Sequence, residues 1–195
     1  MSFIVLDGPD GSGKSTQIKL LAEHLETRGE NVLCIREPGQ TPLGEDLRHI
    51  LLHATYDISS LSEVFLFNAA RSQMMEEIVK PAIDEGKWIL CDRFYPSTLV
   101  YQSFAGGQNL AVVRSICEHA VAHNKPDHII VLDVPVETTQ LRLGDDRDRI
   151  ESKGEDYLKN VRDGFLELAT TENWPVISAS ESIVNVHSKI LNHLF

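Results

Sequence analysis

Hydrophobic positions along this chain alternate between short unbroken runs and a spacing of three and four. Phe3-Ile4-Val5-Leu6 is a run of the first kind, closed by Asp7 and Gly8, and it reads as a buried strand. Ile18, Leu20, Leu21 and Leu25 then recur at helical spacing, and that helix runs to about Arg28, with Gly29 placed to cap it. Asn31 to Ile35 is the second strand. Leu43 to His53 is helical, with Leu43, Leu47, Ile50 and Leu51 on one face. Ser59-Ser60-Leu61-Ser62-Glu63 has the composition of a helix start. The long helix after it reaches about Lys80-Pro81, or continues with a kink through Ala82-Ile83. Gly86 to Asp92 is the third strand, followed by a helix carrying Tyr95 to Gln102, a loop over Ala105 to Asn109 and a helix from Leu110 to Ala122. His128 to Asp133 is the fourth strand, and Val134 to Glu137 opens a helix through Arg142. Asp156 to Ala169 is helical with Leu158, Val161, Phe165 and Leu168 inward. Trp174 to Ser178 is the last strand, and Ile183 to Leu194 closes the chain as an amphipathic helix. Five strands alternating with helices predict a three-layer α/β fold: a parallel five-stranded sheet flanked by helices, with right-handed crossovers. The 195 residues suit a single domain over 1–195.

The junction between the first strand and the first helix carries the clearest chemistry. Gly8-Pro9-Asp10-Gly11-Ser12-Gly13-Lys14-Ser15-Thr16 fits G-x-x-x-x-G-K-[ST], the phosphate-binding loop, in the strand-to-helix context that the motif requires. Its glycines let the backbone turn its N–H groups inward, and the helix N-terminus adds partial positive charge. Lys14 is placed to reach the β- and γ-phosphates of a nucleotide, and the Ser15 hydroxyl to hold Mg²⁺.

Other candidates fall at the same edge of the predicted sheet. Arg36-Glu37-Pro38-Gly39-Gln40-Thr41-Pro42 follows the second strand and faces the ligand crevice of an open α/β sheet. Pro38 is a candidate for a cis bond, which sequence does not decide. Asp92 closes a hydrophobic strand, the position of a metal-orienting Walker B acid or of a helix cap. Arg93 follows at once, then Ser97, Thr98, Tyr101 and Gln102. Phe67 and Arg71, four apart, share a helix face and by spacing alone read as core and a surface ion pair. Arg48, off its helix's apolar stripe, reads alone as a solvated charge. The segment Gly144 to Glu151 is a charged connector or a lid. Asn124-Lys125-Pro126-Asp127 fits the guanine-reading N-K-x-D pattern, but it precedes a strand instead of following one, so that reading is rejected.

A net charge of −11 argues against a surface that coats nucleic acid. No apolar run reaches membrane-spanning length. Met1-Ser2 leads straight into the first strand, so no targeting peptide is expected. Cys34, Cys91 and Cys117 are far apart and odd in number, and read as reduced, structural thiols of a cytoplasmic protein.

The phosphate loop, R-E-P-G, F-x-x-x-R, D-R-F-Y-P-S-T-L-V-Y-Q (Asp92 to Gln102) and a late D-R-x-E stand in one chain in that order. In this the chain resembles the thymidylate kinases (dTMP kinases) of bacterial or phage type over essentially its whole length. The resemblance implies transfer of the γ-phosphoryl group of ATP to dTMP, with Mg²⁺, in a homodimer built through its helices. It implies that Gly8 to Thr16 bind the ATP phosphates, and that Asp10 fixes the dTMP sugar hydroxyl and the metal–phosphate geometry. Phe67 stacks on thymine and Arg71 bonds the base edge. Glu37, Pro38, Arg48, Ser97, Thr98 and Gln102 line the nucleoside pocket, Tyr101 disfavours ribose, Arg93 bridges the two phosphates, Arg36 helps hold the dTMP phosphate, and Asp92 orients Mg²⁺. With Gly11 after Asp10, the chain resembles the members that take catalytic arginines from a lid, here about 142–152. Arg142, Arg147 and Arg149 are the candidates, Arg149 being alternatively structural. Gln40 stands where a second glycine is usual, Val100 where an alanine is usual, and Asp10 where many relatives carry glutamate.

Overall fold

A computed structural model describes residues 1–122, 124–143 and 148–195. Residues 144–147 of the expected lid, Arg147 among them, lie outside the described residues. The elements are β1 (Phe3–Asp7), α1 (Lys14–Glu26), β2 (Val32–Arg36), α2 (Pro42–His53), α3 (Ser60–Met74), α4 (Lys80–Asp84), β3 (Trp88–Asp92), α5 (Tyr95–Thr98), α6 (Leu110–Val121), β4 (His128–Asp133), α7 (Val136–Leu143), α8 (Glu155–Glu172), β5 (Val176–Ser178) and α9 (Ile183–Leu194). All strand pairs are parallel, in the order β2-β3-β1-β4-β5.

Strand period explains the layers. Successive β1 side chains point to opposite faces. Ile4 and Leu6 pack with Leu21 and Leu25 of α1 and with Val186 and Ile190 of α9. Phe3 and Val5 pack on the other face with Met74, Met75 and Val79. A third cluster joins α6 and α8, through Val113, Cys117, Phe165 and Leu168, to Leu99, Val100 and Tyr101. Because every strand runs the same way, the loops after β1, β2 and β3 meet at one edge of the sheet.

The predicted elements are present, with two local differences. The long helix is not uniform: Met75–Val79 is a π-helical turn between α3 and α4. Pro81 lacks an N–H and its ring crowds the carbonyl one turn earlier, and a widened turn just before it accommodates both. The helix beginning at Tyr95 likewise becomes π-helical over Leu99–Phe104. That segment packs on α8 at Gly164, where a Cβ would lie 2.8 Å from Phe104 Cβ and 3.2 Å from Val100 Cγ1. The absent side chain makes room for the larger residue at position 100.

The cysteines are free thiols: Cys91 and Cys117 are buried as expected, whereas Cys34 is exposed on the edge strand β2, so packing does not account for it. Among the described residues no helix is long and apolar enough to cross a membrane.

Candidate active site

The phosphate loop leaves β1 through Gly8, whose φ is 138°. A Cβ there would lie 2.3 Å from the Leu132 carbonyl oxygen of β4, so only glycine fits. Gly13, at φ 85°, caps α1, and no acidic side chain occupies the first turn of that helix to offset its dipole. Lys14 is buried and folds back over the loop. Its Nζ donates to the carbonyl oxygens of Gly8 at 3.1 Å and Pro9 at 2.8 Å, and to Ser12 Oγ at 3.3 Å. Ser15 Oγ donates to Asp92 Oδ2 at 2.5 Å. A hydroxyl beside a carboxylate is an all-oxygen donor set that suits a hard cation such as Mg²⁺.

Burial lowers the Lys14 ammonium to about 8, with Arg93 adding to the shift and Asp10, Asp92 and Asp7 opposing it. A triphosphate binds the charged form, so above pH 8 the free protein must take up a proton to bind. ATP affinity is expected to fall as pH rises through 8, approaching about tenfold per pH unit. Calorimetry at pH 8.5 in two buffers of different ionisation enthalpy checks this: net proton uptake on ATP binding is expected, and uptake of none contradicts it.

Arg93 begins the segment after β3 with φ 66°, a left-handed conformation that turns its side chain back over the loop. Nη1 donates to the Gly8 carbonyl oxygen at 3.0 Å and to Ser97 Oγ at 2.9 Å, and Nη2 pairs with Asp10 Oδ1. Tyr101 donates its hydroxyl to Asp10 Oδ2 at 2.7 Å. Burial raises Asp10, but Arg93 and Lys14 outweigh it and hold the carboxyl below its usual range.

Asp7 was missed as a site residue. It is fully buried, and burial pushes it up against the opposing pull of Arg93. Oδ2 accepts from the N–H groups of Phe94 and Ser97, both at 3.1 Å, and Oδ1 accepts from Gly8 N at 2.9 Å and Ser97 Oγ at 2.7 Å. It thus locks the phosphate loop to the Arg93–Ser97 turn. The available signal was the one used for Asp92, an acid ending an apolar strand.

The loop after β2 contains a cis Glu37-Pro38 bond. Gln40 has φ 76°, a conformation glycine adopts without strain, and its N–H donates to Glu45 Oε1 at 2.9 Å. Glu37 and Arg71 form a buried two-pronged pair. Nε lies 3.0 and 2.9 Å from the two carboxylate oxygens, and Nη2 lies 2.7 Å from Oε2. Nη2 also donates to Thr98 Oγ1 at 2.9 Å, and Nη1 to Asn68 Oδ1 at 2.6 Å and, weakly, to Cys117 Sγ at 3.8 Å. Burial pushes Glu37 up to about 7, against the pull of Arg71. The ion pair expected for Arg71 is therefore present, but in the interior.

One cavity of about 440 Å³ spans these groups. Asp10, Gly11, Gly13, Lys14, Ser15, Thr16, Asp92 and Arg93 border it on the phosphate-loop side. Arg36, Glu37, Pro38, Arg48, Phe67, Arg71, Ser97, Thr98, Tyr101 and Gln102 border it on the other. Gly8, Pro9 and Ser12 do not border it and accept hydrogen bonds from Lys14. Arg48, read alone as solvated, is half-buried and donates to the Pro38 carbonyl oxygen at 2.9 Å. Leu52, Phe94, Asp148 and Ile150 also border the cavity and were not predicted. Arg142 lies outside it, bridging the Gly11 and Ala179 carbonyl oxygens at 2.8 and 3.1 Å. Arg149 also lies outside it: Nε donates to the Leu51 carbonyl oxygen at 2.9 Å and Nη2 to Glu63 Oε1 at 2.7 Å.

A phosphate loop after β1, an acid ending β3 and an all-parallel sheet define a P-loop NTPase fold. Residues 6–190 match the family model described as thymidylate kinase. The chain is 40% identical over 190 residues to a thymidylate kinase of Thermosipho africanus, covering 96% of this chain and 94% of that one. It is 42% identical over 189 residues to one from Synechococcus sp. strain CC9902, covering 93% and 90%. The crystal structure of thymidylate kinase from Ehrlichia chaffeensis superposes with a TM-score of 0.81 at 33% identity, covering 100% of this chain and 98% of that one. The chain belongs to the thymidylate kinase family.

Proposed function

We propose that this protein transfers the γ-phosphoryl group of ATP to dTMP, giving dTDP and ADP. The observation that carries the reading is the single cavity joining Lys14 and the phosphate loop to Phe67 and Arg71, with Arg93 between the two ends. Gly8 to Thr16 hold the ATP phosphates. Ser15 and Asp92 hold Mg²⁺, which neutralises charge on the phosphates when bound. Phe67 stacks on the thymine ring. Arg71, which borders the cavity, bonds the base edge. Arg36, Arg48 and Arg93 receive the acceptor phosphate. A phosphate oxygen of dTMP forms the new bond to the γ-phosphorus as the bond to the ADP oxygen breaks. The attacking oxygen is already anionic, so the protein supplies alignment and positive charge more than base catalysis. Of the two lid arginines among the described residues, Arg142, which already touches Gly11, is the one placed to join them. Arg149, tied to Glu63 and Leu51, serves structure in this reading.

Incubation with ATP, Mg²⁺ and dTMP, followed by ion-exchange chromatography, is expected to yield dTDP and ADP in equal amounts. ADP without dTDP contradicts the proposal. Tyr101, held by Asp10, is proposed to crowd a ribose 2′-hydroxyl. Tyr101→Ala is then expected to narrow the kcat/KM preference for dTMP over its ribonucleotide counterpart about tenfold, and an unchanged ratio rejects the role. We also propose a homodimer formed through α3, which leaves Leu61 and Phe65 exposed on successive turns.

A further inference from the structure

Glu63 lies behind the cavity wall, fully buried in the first turn of α3. Its two oxygens serve different partners. Oε1 accepts from Arg149 Nη2 at 2.7 Å and Lys153 Nζ at 3.3 Å. Oε2 accepts from Gln102 Nε2 at 2.9 Å. With two cations on one oxygen, the carboxylate only accepts, so the amide beside it has one choice: its NH₂ faces Glu63. Gln102 Oε1 is thereby turned the other way. It is buried, belongs to a residue that borders the cavity, and has no hydrogen-bond partner among the described residues. A buried acceptor left open in this way fits a ligand that brings a donor. Arg71 does not set this choice, because it can only donate.

We infer that Glu63 is a positioning residue that sets base specificity, by holding Gln102 with its carbonyl oxygen toward the cavity. That arrangement takes a pyrimidine whose ring nitrogen carries hydrogen, as in thymine or uracil. It disfavours cytosine, whose ring nitrogen at that edge is an acceptor. The inference rests on the reading of the cavity as a thymine site.

The test is kcat/KM for dTMP and for dCMP in the wild type and in Glu63→Gln. In the variant the two cations claim the new amide's oxygen. Its NH₂ then faces Gln102, whose own amide turns over to accept and presents a donor to the cavity. The dTMP-to-dCMP ratio is expected to fall about tenfold or more, through the KM for dTMP, with the KM for ATP unchanged. In a Gln102→Leu background the same substitution is expected to leave the ratio where Gln102→Leu put it. A purely structural Glu63 lowers both pyrimidines together and leaves the ratio alone. An unchanged ratio in a folded Glu63→Gln, with the wild type preferring dTMP, overturns this inference only. A wild type without preference for dTMP overturns the thymine reading and this inference together. If Glu63→Gln does not fold, Glu63→Met with Lys153→Met keeps the net charge and frees Gln102. The same fall is then expected, and a retained ratio overturns the inference.

Discussion

Lys14→Ala is expected to fold normally and to lose about a thousandfold or more in kcat. The side chain is buried, yet its three hydrogen-bond partners are two loop carbonyls and a serine hydroxyl, none of them a charge that its loss would strand. The loop conformation is held independently, by the close approach of Gly8 to β4 and by Asp7. Removing the ammonium therefore deletes charge stabilisation of the bound triphosphate and of the transition state while leaving the fold in place. Circular dichroism and a thermal melt check the fold, and initial rates at saturating substrates check the loss. Full activity in a folded variant rejects the role of the loop.

Arg71→Ala is expected to act on both stability and binding. It strands Glu37 in the interior, and breaking a buried pair from one side costs about 3–5 kcal/mol. The cost depends on pH, with a definite sign. Glu37 already sits at about 7 in the folded state, above its usual 4.5, so it favours the folded state least above pH 7. Without Arg71 its folded value rises further, and stability keeps falling with pH beyond 7 where the wild type levels off. The deficit is therefore expected to be smaller at pH 6 than at pH 8, and Glu37→Gln in the same chain is expected to restore part of it. The KM for dTMP rises with the loss of the base contact. Urea melts at the two pH values, with steady-state kinetics, separate these effects. An Arg71→Ala protein as stable as wild type at pH 8 contradicts the buried-pair account.

The parts legible in the sequence were those with local signals. Strand runs, helical stripes and the glycine–lysine loop all depend on neighbours within a turn or two, and the parallel sheet follows from their alternation. The harder parts depend on distant partners. Arg71 and Glu37 are 34 positions apart, and spacing on α3 could not show that their pair is buried. Glu63 looked like part of a helix start, while its partners lie 39, 86 and 90 positions away. Asp7 and Asp92 carry the same strand-end signal. Only the fold shows that one is buried to lock the loop and the other faces Ser15. The π-helical turns leave no periodic mark, because one widened turn shifts the apolar stripe by a single position.

The central claim is that the acceptor is a thymine deoxynucleotide already carrying a phosphate. Its most direct test is ADP release from ATP and Mg²⁺ with dTMP, dCMP, the ribonucleotide counterpart of dTMP, and thymidine supplied in turn. The account predicts the highest kcat/KM with dTMP and none with thymidine, because it assigns Arg36, Arg48 and Arg93 to an acceptor phosphate that thymidine lacks. Turnover with thymidine but not with dTMP would contradict it.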